Sequence, residues 1–374
     1  MARRYKVLGV VFGLLVVGLS VLGYRMSHDA PCGPAQPLPA GAQGMQAIVY
    51  RCYGSTEVLK LEQVAKPELA DDRVLIKVHA ASVNPLDWHY MRGKPYIMRL
   101  SSGMGTPADS RLGVDFAGTV EAVGRNVKRY KPGDEVFGGA SGAFAEYVSM
   151  ADHRSLALKP ANMSFEQAAA VPIAAVTALQ ALRDKGLIRA GQKVLINGAS
   201  GGVGTFAVQI AKSYGADVTG VCSTRNLQMV SSIGADRVID YTRENFTAGT
   251  QRYDLIIDTV SNHSLSALRQ VLTPEGTLVI VGGAGDGNWI GPLIGPLQAL
   301  LVSKFVSQKL EPMLAELRPA DMTILADLMR AGKLTPVIDR RYPLSEVPAA
   351  IAYLETGRAR GKVVIDVVPP MIDR

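Results

Sequence analysis

Residues 193–216 read KVLINGASGGVGTFAVQIAKSYGA, an apolar strand, a glycine-rich turn and an amphipathic helix in direct succession. A tight turn of this kind needs glycine where φ is positive and where a pyrophosphate approaches the backbone with no Cβ in between. Free N–H groups at the start of the helix then hold the phosphates. We therefore predict a dinucleotide site at the turn, formed by Gly198, Ser200, Gly201, Gly202, Val203 and Gly204.

The segments on either side of this turn predict an open α/β sheet. Five apolar runs with helical segments mostly between them are typical of a parallel sheet buried on both faces. The runs are KVLINGA, DVTGVCS, RVIDY, DLIIDTV and TLVIVGG. An alanine-rich helical stretch, residues 164–186, precedes them.

The preceding part of the chain, from Met45 to about Glu166, has a different pattern. Short β-branched runs such as RVLIKVHAASV and FAGTVEAVG alternate with glycine and proline, which predicts a mostly-β domain with barrel-like corners. After about Leu310 we expect one helix, near Asp321 to Gly332, and a last strand, KVVIDVV, that pairs back onto the β domain. The predicted division is 45–168, 169–309 and 310–374.

The N-terminal 44 residues predict a membrane anchor and a linker. Residues 7–24 carry no charge, and a helix of that length reaches ~27 Å, close to a hydrocarbon core. A cleavable signal peptide is the alternative, although no clean cleavage site follows. The stretch 31–44 is typical of a Pro/Ala/Gly tether. Basic residues before the span favour an external catalytic domain. The need for a reduced cofactor carries more weight, so we expect the catalytic domain on the cytoplasmic side.

Charge and cysteine content exclude several classes of function. The net charge is +7, but four basic residues flank the N-terminal apolar run, and residues 45–374 hold 36 basic against 32 acidic side chains. No basic stripe remains, so we expect no nucleic-acid partner. Three cysteines, Cys32, Cys52 and Cys222, are too few and too scattered for a disulfide framework or a CxxC metal site.

The end of the second predicted strand indicates which cofactor binds. Where an NAD-preferring fold usually has an acidic residue for the ribose hydroxyl, this chain reads VCSTRN. Ser223 and Thr224 can donate hydrogen bonds, and Arg225 can pair with a 2′-phosphate. We therefore predict NADPH as the cofactor, with Tyr241 and Lys212 as further candidate contacts.

Several motifs, in order, give the chain a family resemblance. They are AASVNPLDWHYMRG, RLGVDFAGTVEAVG, YKPGDEVFG, AAAVPIAAVTALQAL, NGASGGVGTFAVQIAK and RGKVVI. Together they resemble the medium-chain dehydrogenase/reductase superfamily, in particular its zinc-free quinone oxidoreductase branch. The resemblance covers nearly all of residues 45–370. It implies a GroES-like β-barrel catalytic domain, a Rossmann domain and an active site in the cleft between them, with homodimers formed through the Rossmann sheets.

The zinc ligands of related alcohol dehydrogenases are missing here. Asn84 stands where those enzymes have a cysteine, and Val114 stands at the position of their histidine. Without a Lewis acid, an alkoxide loses its usual stabilisation. Reduction of a conjugated carbonyl or quinone needs less stabilisation, because hydride addition gives a delocalised anion that a hydrogen-bond donor can stabilise. We expect no metal.

The resemblance also implies the remaining site residues. Asn84 and Asp87 would line the cleft beside the nicotinamide, and His89 and Tyr90 follow as candidate proton donors. The other cofactor contacts implied by the resemblance are Thr177, Val281, Gly282, Gly283 and Lys362. Turn formation and core packing are the alternative roles for Asn84 and its neighbours.

These observations predict an NADPH-dependent oxidoreductase that transfers hydride to quinones or α,β-unsaturated carbonyls. A zinc alcohol dehydrogenase is excluded by the missing ligands. A short-chain reductase fits poorly, because about 150 residues of β-rich chain precede the glycines. The alternative from another class is a sensor or scaffold that binds NADPH without turnover.

Overall fold

The computed structural model describes residues 2–282 and 287–368. The α-helices are α1 Ala2–Ser27, α2 Pro85–Arg92, α3 Arg99–Ser102, α4 Phe165–Ala169, α5 Pro172–Gln180, α6 Gly202–Ser213, α7 Leu227–Ser232, α8 Leu265–Gln270, α9 Gly291–Val302, α10 Pro319–Arg330 and α11 Val347–Glu355. The strands are β1 Gly44–Val49, β2 Lys60–Ala65, β3 Arg73–Val83, β4 Asp115–Val123, β5 Glu135–Gly139, β6 Tyr147–Ala151, β7 Leu156–Leu158, β8 Lys193–Asn197, β9 Asp217–Cys222, β10 Arg237–Asp240, β11 Tyr253–Asp258, β12 Leu272–Ile280, β13 Lys309–Pro312, β14 Ile338–Pro343 and β15 Lys362–Asp366.

A six-stranded parallel sheet forms the Rossmann domain. Its order is β10-β9-β8-β11-β12-β13, and the five apolar runs predicted as strands are β8 to β12. The sixth strand, β13, was missed because its four residues, KLEP, are mostly polar and lie at the sheet edge. The strand order reverses beside β8, which is where α/β sheets bind ligands.

The alanine-rich stretch before this sheet forms two helices rather than one. Ser164 caps α4, which ends at Ala169, and α5 begins at Pro172. Proline starts the second helix because its missing N–H would have no partner in the first turn of a helix. Helix α5 is buried along almost its whole length and packs beside α6, so it forms much of the core between the two lobes.

The other lobe is the GroES-like domain, a seven-stranded sheet in the order β14-β15-β3-β4-β5-β7, with β6 also paired to β3. The last strand, β15, pairs antiparallel with β3, from Val363 opposite Val83 to Asp366 opposite Ala80. The prediction that KVVIDVV returns to the first domain is therefore confirmed. As a result, residues more than 270 positions apart meet at the centre of the molecule.

The predicted N-terminal transmembrane helix is wrong. Helix α1 does form, but within the described ranges no helix has both the length and the apolar character needed to cross a bilayer. The uncharged run between Lys6 and Arg25 has only 18 residues and includes four glycines and a serine. The single-span membrane localisation that followed from the prediction is corrected with it.

One disulfide joins the N-terminal segment to the catalytic domain. Cys32 and Cys52 are bonded, with their Cα atoms 4.6 Å apart, while Cys222 is a buried free thiol in β9. The number and spacing of the cysteines did not predict this bond. The residues after α1 fold back beside the end of β1, and sequence separation does not report that proximity.

Candidate active site

The glycine turn joins β8 to α6 in a conformation that only glycine fits. Gly198 has a φ of +84°, in the left-handed region. A Cβ added to Gly204 would lie 2.1 Å from the carbonyl oxygen of Gly198, so the helix packs directly on the turn. The predicted strand, turn and helix start are therefore all present.

The start of α6 is open for an anion. Gly201 is its N-cap and has no side chain to satisfy the first N–H groups. Gly201 also forms a β-bridge with Gly361, and the Gly361 N–H donates to the Ser200 carbonyl at 2.8 Å, so the chain leading into β15 lies beside the turn. Free N–H groups at a helix start with no Cβ above them fit a dinucleotide pyrophosphate.

Substituting Gly204 by alanine should destabilise the protein by about 2 kcal/mol or more, because the new methyl group would collide with backbone that cannot move aside. Denaturant unfolding measures this loss. Gly201→Ala is the matched control, since its nearest atom would be 3.4 Å away, and it should stay within about 1 kcal/mol of the native chain. Equal losses in the two variants would contradict the packing described here.

The loop after β9 holds the residues predicted to recognise the 2′-phosphate. Ser223 and Thr224 follow the strand directly, and Asn226, which is buried, donates through Nδ2 to the Ser200 hydroxyl at 3.0 Å. Asn226 therefore ties this loop to the glycine turn. The sequence did not single it out, because a buried asparagine after a strand has no recognisable motif.

The other residues predicted to contact the 2′-phosphate, Arg225, Tyr241 and Lys212, differ in their surroundings. The Arg225 guanidinium donates to the carbonyl oxygen of Arg358, which brings two basic residues together beside the loop. Tyr241 follows β10 and is 54% exposed. Lys212 forms an ion pair with Asp236 at 2.7 Å, on the far end of α6 from the glycine turn.

Lys362 is the centre of a buried polar network under the turn. Its Nζ donates to the Asn84 side-chain oxygen at 2.5 Å and to the Val83 carbonyl at 3.1 Å, and lies 3.4 Å from Asp115 Oδ2. A Cβ on Gly202 would lie 3.3 Å from the Lys362 side chain, so this lysine lies between turn and network. Burial lowers the pKa of the Lys362 ammonium, and the carboxylates of Asp115 and Asp87 oppose that shift.

Asp115 is a site residue that the sequence prediction missed. It is fully buried, and its Oδ2 accepts from Asn84 Nδ2 at 2.9 Å and from the Ser82 hydroxyl at 3.1 Å. Its Oδ1 accepts from the Ile173 N–H at 3.0 Å, at the start of α5, where a helix favours negative charge. Asp115 belongs to the GVD segment, but no local pattern there distinguishes a buried carboxylate from a turn aspartate.

The Asp87 side chain accepts a hydrogen bond from the backbone of Asn84. One oxygen, Oδ2, accepts from the Asn84 N–H at 2.7 Å, whereas Oδ1 is buried with no hydrogen-bond partner among the described residues. Burial raises the pKa of the Asp87 carboxyl to about 7, and the Asn84 hydrogen bond only partly opposes this. Near neutral pH, this carboxyl can therefore hold or release a proton.

A cavity of about 290 Å³ lies directly against Asp87. Tyr50 and Tyr90 also line it, and Tyr50 was not predicted from the sequence. Burial raises the pKa of Tyr50 well above its usual range, so its hydroxyl stays protonated. His89 does not line this cavity: its Nδ1 lies 2.8 Å from the Lys94 carbonyl oxygen, and burial lowers the pKa of its ring.

The remaining predicted cofactor contacts lie at the ends of neighbouring elements. Thr177 is buried in α5 and donates to the Ile173 carbonyl at 2.7 Å. Val281 and Gly282 follow β12, and both N–H groups donate to the Asp258 carbonyl oxygen. Gly283 lies outside the described residues.

Comparisons with known proteins agree with this geometry. Residues 70–161 match the family described as "Alcohol dehydrogenase GroES-like domain", and residues 233–365 match "Zinc-binding dehydrogenase". The chain is 37% identical to the 2-methylene-furan-3-one reductase of Solanum lycopersicum over 94% of this chain and 87% of that one. The chain belongs to the medium-chain dehydrogenase/reductase superfamily. Within it, this reductase falls in the quinone oxidoreductase-like branch.

Two further relatives of this medium-chain reductase are informative. It is 36% identical to the NADPH-dependent alkenal/one oxidoreductase of Arabidopsis thaliana, over 87% of this chain and 80% of that one. The structure of the quinone oxidoreductase from Coxiella burnetii superposes with a TM-score of 0.76 at 32% identity, over 87% of this chain and all of that one. The medium-chain reductase described here is therefore an oxidoreductase enzyme with a nicotinamide cofactor.

The second family description does not correspond to a metal site that can be seen here. Across residues 2–282 and 287–368, no three His, Cys, Asp or Glu side chains form a group that could hold a metal ion.

Proposed function

We propose that this chain reduces quinones or α,β-unsaturated carbonyls with NADPH and without zinc. The observation that carries the proposal is the buried Lys362–Asn84–Asp115 network, which lies between the glycine turn and a cavity lined by Asp87. The names of the relatives, a furanone reductase, an alkenal/one oxidoreductase and a quinone oxidoreductase, support the same substrate classes.

The network would position the cofactor and the acceptor. NADPH, when bound, supplies the hydride. Lys362 is held by Asn84 and by the Val83 carbonyl, and its Cδ contacts the glycine turn, so it would fix the cofactor's position relative to the floor of the cleft. Asn84 is oriented from both sides, by Lys362 and by Asp115, so its amide cannot rotate freely. Such preorganised donors lower the cost of developing negative charge.

Asp87 would supply the proton that completes the reduction. Hydride addition to an enone or quinone leaves an anion on the acceptor, which must gain a proton. Asp87 lines the cavity, its buried Oδ1 has no hydrogen-bond partner among the described residues, and its carboxyl is partly protonated near neutral pH. A general acid with a pKa near the working pH is the most effective kind. Tyr50 and Tyr90 would hold the acceptor oxygen through hydrogen bonds.

The preference for NADPH rests on the loop after β9. No carboxylate follows the strand directly, and Ser223 and Arg225 present a hydroxyl and a guanidinium there, while the Thr224 hydroxyl donates to Asp240 at the end of β10. An arginine binds a dianionic phosphate in a planar fork, whereas NADH offers it only a ribose hydroxyl.

Replacing Arg225 by alanine should lower kcat/KM for NADPH by about 10- to 50-fold, the loss of one or two charge-assisted hydrogen bonds. The value for NADH should change less than about threefold, because NADH has no group for this side chain. Steady-state kinetics with each cofactor gives both numbers. Arg252→Ala is the control, since Arg252 precedes β11 whereas Arg225 follows β9, so the two lie at opposite ends of the parallel strands. Equal losses with both cofactors would contradict the assignment.

NADPH oxidation by the full chain, measured across a panel of quinones, enones and 2-alkenals, tests the proposed reaction. Turnover with several acceptors is expected. The alternative, a protein that binds NADPH without turnover, predicts tight binding in a fluorescence titration and no oxidation with any acceptor.

We also propose a homodimer. The edge strand β13 is the last of the Rossmann sheet, and among the described residues no further strand pairs with it. An open strand edge of this kind is a surface on which a second copy can continue the sheet. Sedimentation equilibrium should give twice the chain mass; a monomer at all concentrations would refute this.

A further inference from the structure

A segment outside the family-matched residues packs against one wall of the proposed acceptor cavity. We call Met26–Cys32 the strap; it runs from the end of α1 to the disulfide. The family match begins at residue 70, so the strap belongs to the part of the chain that precedes it. Its contacts are with residues 96–105, which include α3.

Arg99 is the main contact between the strap and this wall. Its side chain is fully buried, which is unusual for arginine. Nη1 donates to the Met26 carbonyl at 2.9 Å and Nη2 to Asp29 Oδ1 at 2.6 Å, both on the strap, while Nε donates to the Gly93 carbonyl at 2.8 Å. A buried guanidinium depends on such partners, because an unpaired buried charge is costly.

Two other links hold the strap in place. The Ala30 N–H donates to the Gly105 carbonyl at 3.0 Å, and Cys32 is bonded to Cys52. Cys52 precedes Tyr53, whose ring lies 4.2 Å from the Arg99 guanidinium. The strap is therefore fixed to the catalytic domain by an ion pair, by backbone hydrogen bonds and by a covalent bond.

The residues that contact the strap are close neighbours of residues that line the cavity. Ser101 and Ser102, in α3, are among the lining residues, as is Ala108. Tyr53 donates its hydroxyl to the Gly103 carbonyl at 2.7 Å and also lies 3.0 Å from that of Ser102. The Ala108 N–H donates to Ser102 at 2.8 Å. A displacement of the strap would therefore pass through Arg99 and Tyr53 to the cavity lining.

We propose that the strap determines acceptor specificity by fixing the position of this wall. Because the Cys32–Cys52 disulfide attaches the strap to the catalytic domain, this effect depends on the redox state of the two cysteines. The proposal rests on the proposed function, in which the cavity receives the acceptor. A dithiol reductant would open the bond by two thiol–disulfide exchanges: two electrons and two protons pass to Cys32 and Cys52, and the reductant becomes a disulfide. The strap is then held only by the contacts of Arg99 and by the Ala30–Gly105 hydrogen bond.

Two variants of the full chain test this, Asp29→Asn and Cys32→Ser. The KM for a bulky acceptor, 1,4-naphthoquinone, should rise on the order of fivefold or more, which is a typical coupling between two sites. Three other constants should stay within about twofold of the native values. They are the KM for propenal, which is a small acceptor, the KM for NADPH, and kcat. A general loss of structure would instead change all of these together. Dithiol treatment of the native chain should reproduce Cys32→Ser and should not affect that variant further.

Asp71→Asn is the matched control. Asp71 and Asp29 have the same side-chain exposure, 52%, and each pairs with an arginine at 2.6 Å, but the partner of Asp71 is the exposed Arg125 rather than a buried residue. This control should leave both acceptor KM values unchanged. An equal change in the control and in Asp29→Asn would overturn the proposal.

A second measurement separates this proposal from the proposed function. Amide hydrogen exchange in residues 99–108 should become faster in both strap variants, and calorimetry should show weaker naphthoquinone binding to the NADP⁺-bound protein. Unchanged exchange or unchanged binding would overturn the strap proposal. Absence of turnover with every acceptor, together with the expected exchange and binding changes, would refute the proposed reaction and leave the strap proposal standing.

Discussion

Replacing Lys362 by methionine is expected to lower kcat/KM for the acceptor by about 100-fold or more, because the cofactor would lose the side chain that fixes its position and a misplacement of about 1 Å has an effect of that size. The same change should destabilise the fold by roughly 3–5 kcal/mol, because Asp115 would remain buried without its cation. Lys362 is 3% exposed and Asp115 is fully buried, so water cannot compensate. Steady-state kinetics and urea unfolding measure the two effects.

A double variant distinguishes the two effects. Lys362→Met combined with Asp115→Asn removes both charges, and replacing a whole buried ion pair is often close to neutral for stability. We expect the double variant to recover most of the lost free energy of unfolding but not the lost activity. Recovery of both would show that Lys362 serves only to stabilise the fold.

Asp87→Asn should reduce kcat by about 100-fold or more and should remove a pH dependence that the native enzyme shows. Burial places the pKa of Asp87 at about 7, so the carboxyl is protonated below that pH and ionised above it. A group that must donate its proton is active below its pKa. The native kcat for enone reduction should therefore be constant at low pH and fall as the pH rises through about 7.

His89→Gln is the control for this prediction, because His89 is a candidate acid on α2 that does not line the cavity. Its Nδ1 contacts the Lys94 carbonyl rather than the cavity, so the variant should keep the native pH profile. Loss of the fall near pH 7 in His89→Gln, but not in Asp87→Asn, would reverse the assignment. The pH dependence of kcat from pH 5 to 9 gives the comparison.

Local patterns were enough to predict most secondary structure and the cofactor turn. The length and composition of the apolar runs predicted β8 to β12. The glycines between β8 and α6 predicted a dinucleotide site, because a tight turn beside a phosphate leaves little choice of residue. The short polar strand β13 was missed because it has no such pattern. The N-terminal anchor was predicted from an uncharged run of 18 residues with basic residues before it, and it is wrong because no described helix has both the length and the apolar character to cross a bilayer.

The acid–base groups were harder to predict. Asn84 and Asp87 were named from family resemblance, but the partner that orients them, Asp115, and the cavity residue Tyr50 were not. Nothing local distinguishes a buried carboxylate from a turn aspartate. Its partners, such as Ile173 58 positions away, are known only after folding.

The order of strands, turn and helix, and the missing carboxylate after β9, follow from the sequence by itself, since each depends on neighbouring residues. The tertiary structure decided that Lys362 lies against Asn84, 278 positions away, and that the strap reaches the cavity wall. The physical reason is that burial and long-range pairing set the charge of Lys362 and Asp87 and the position of the Arg99 side chain. Neither burial nor long-range pairing can be predicted from a few neighbouring residues.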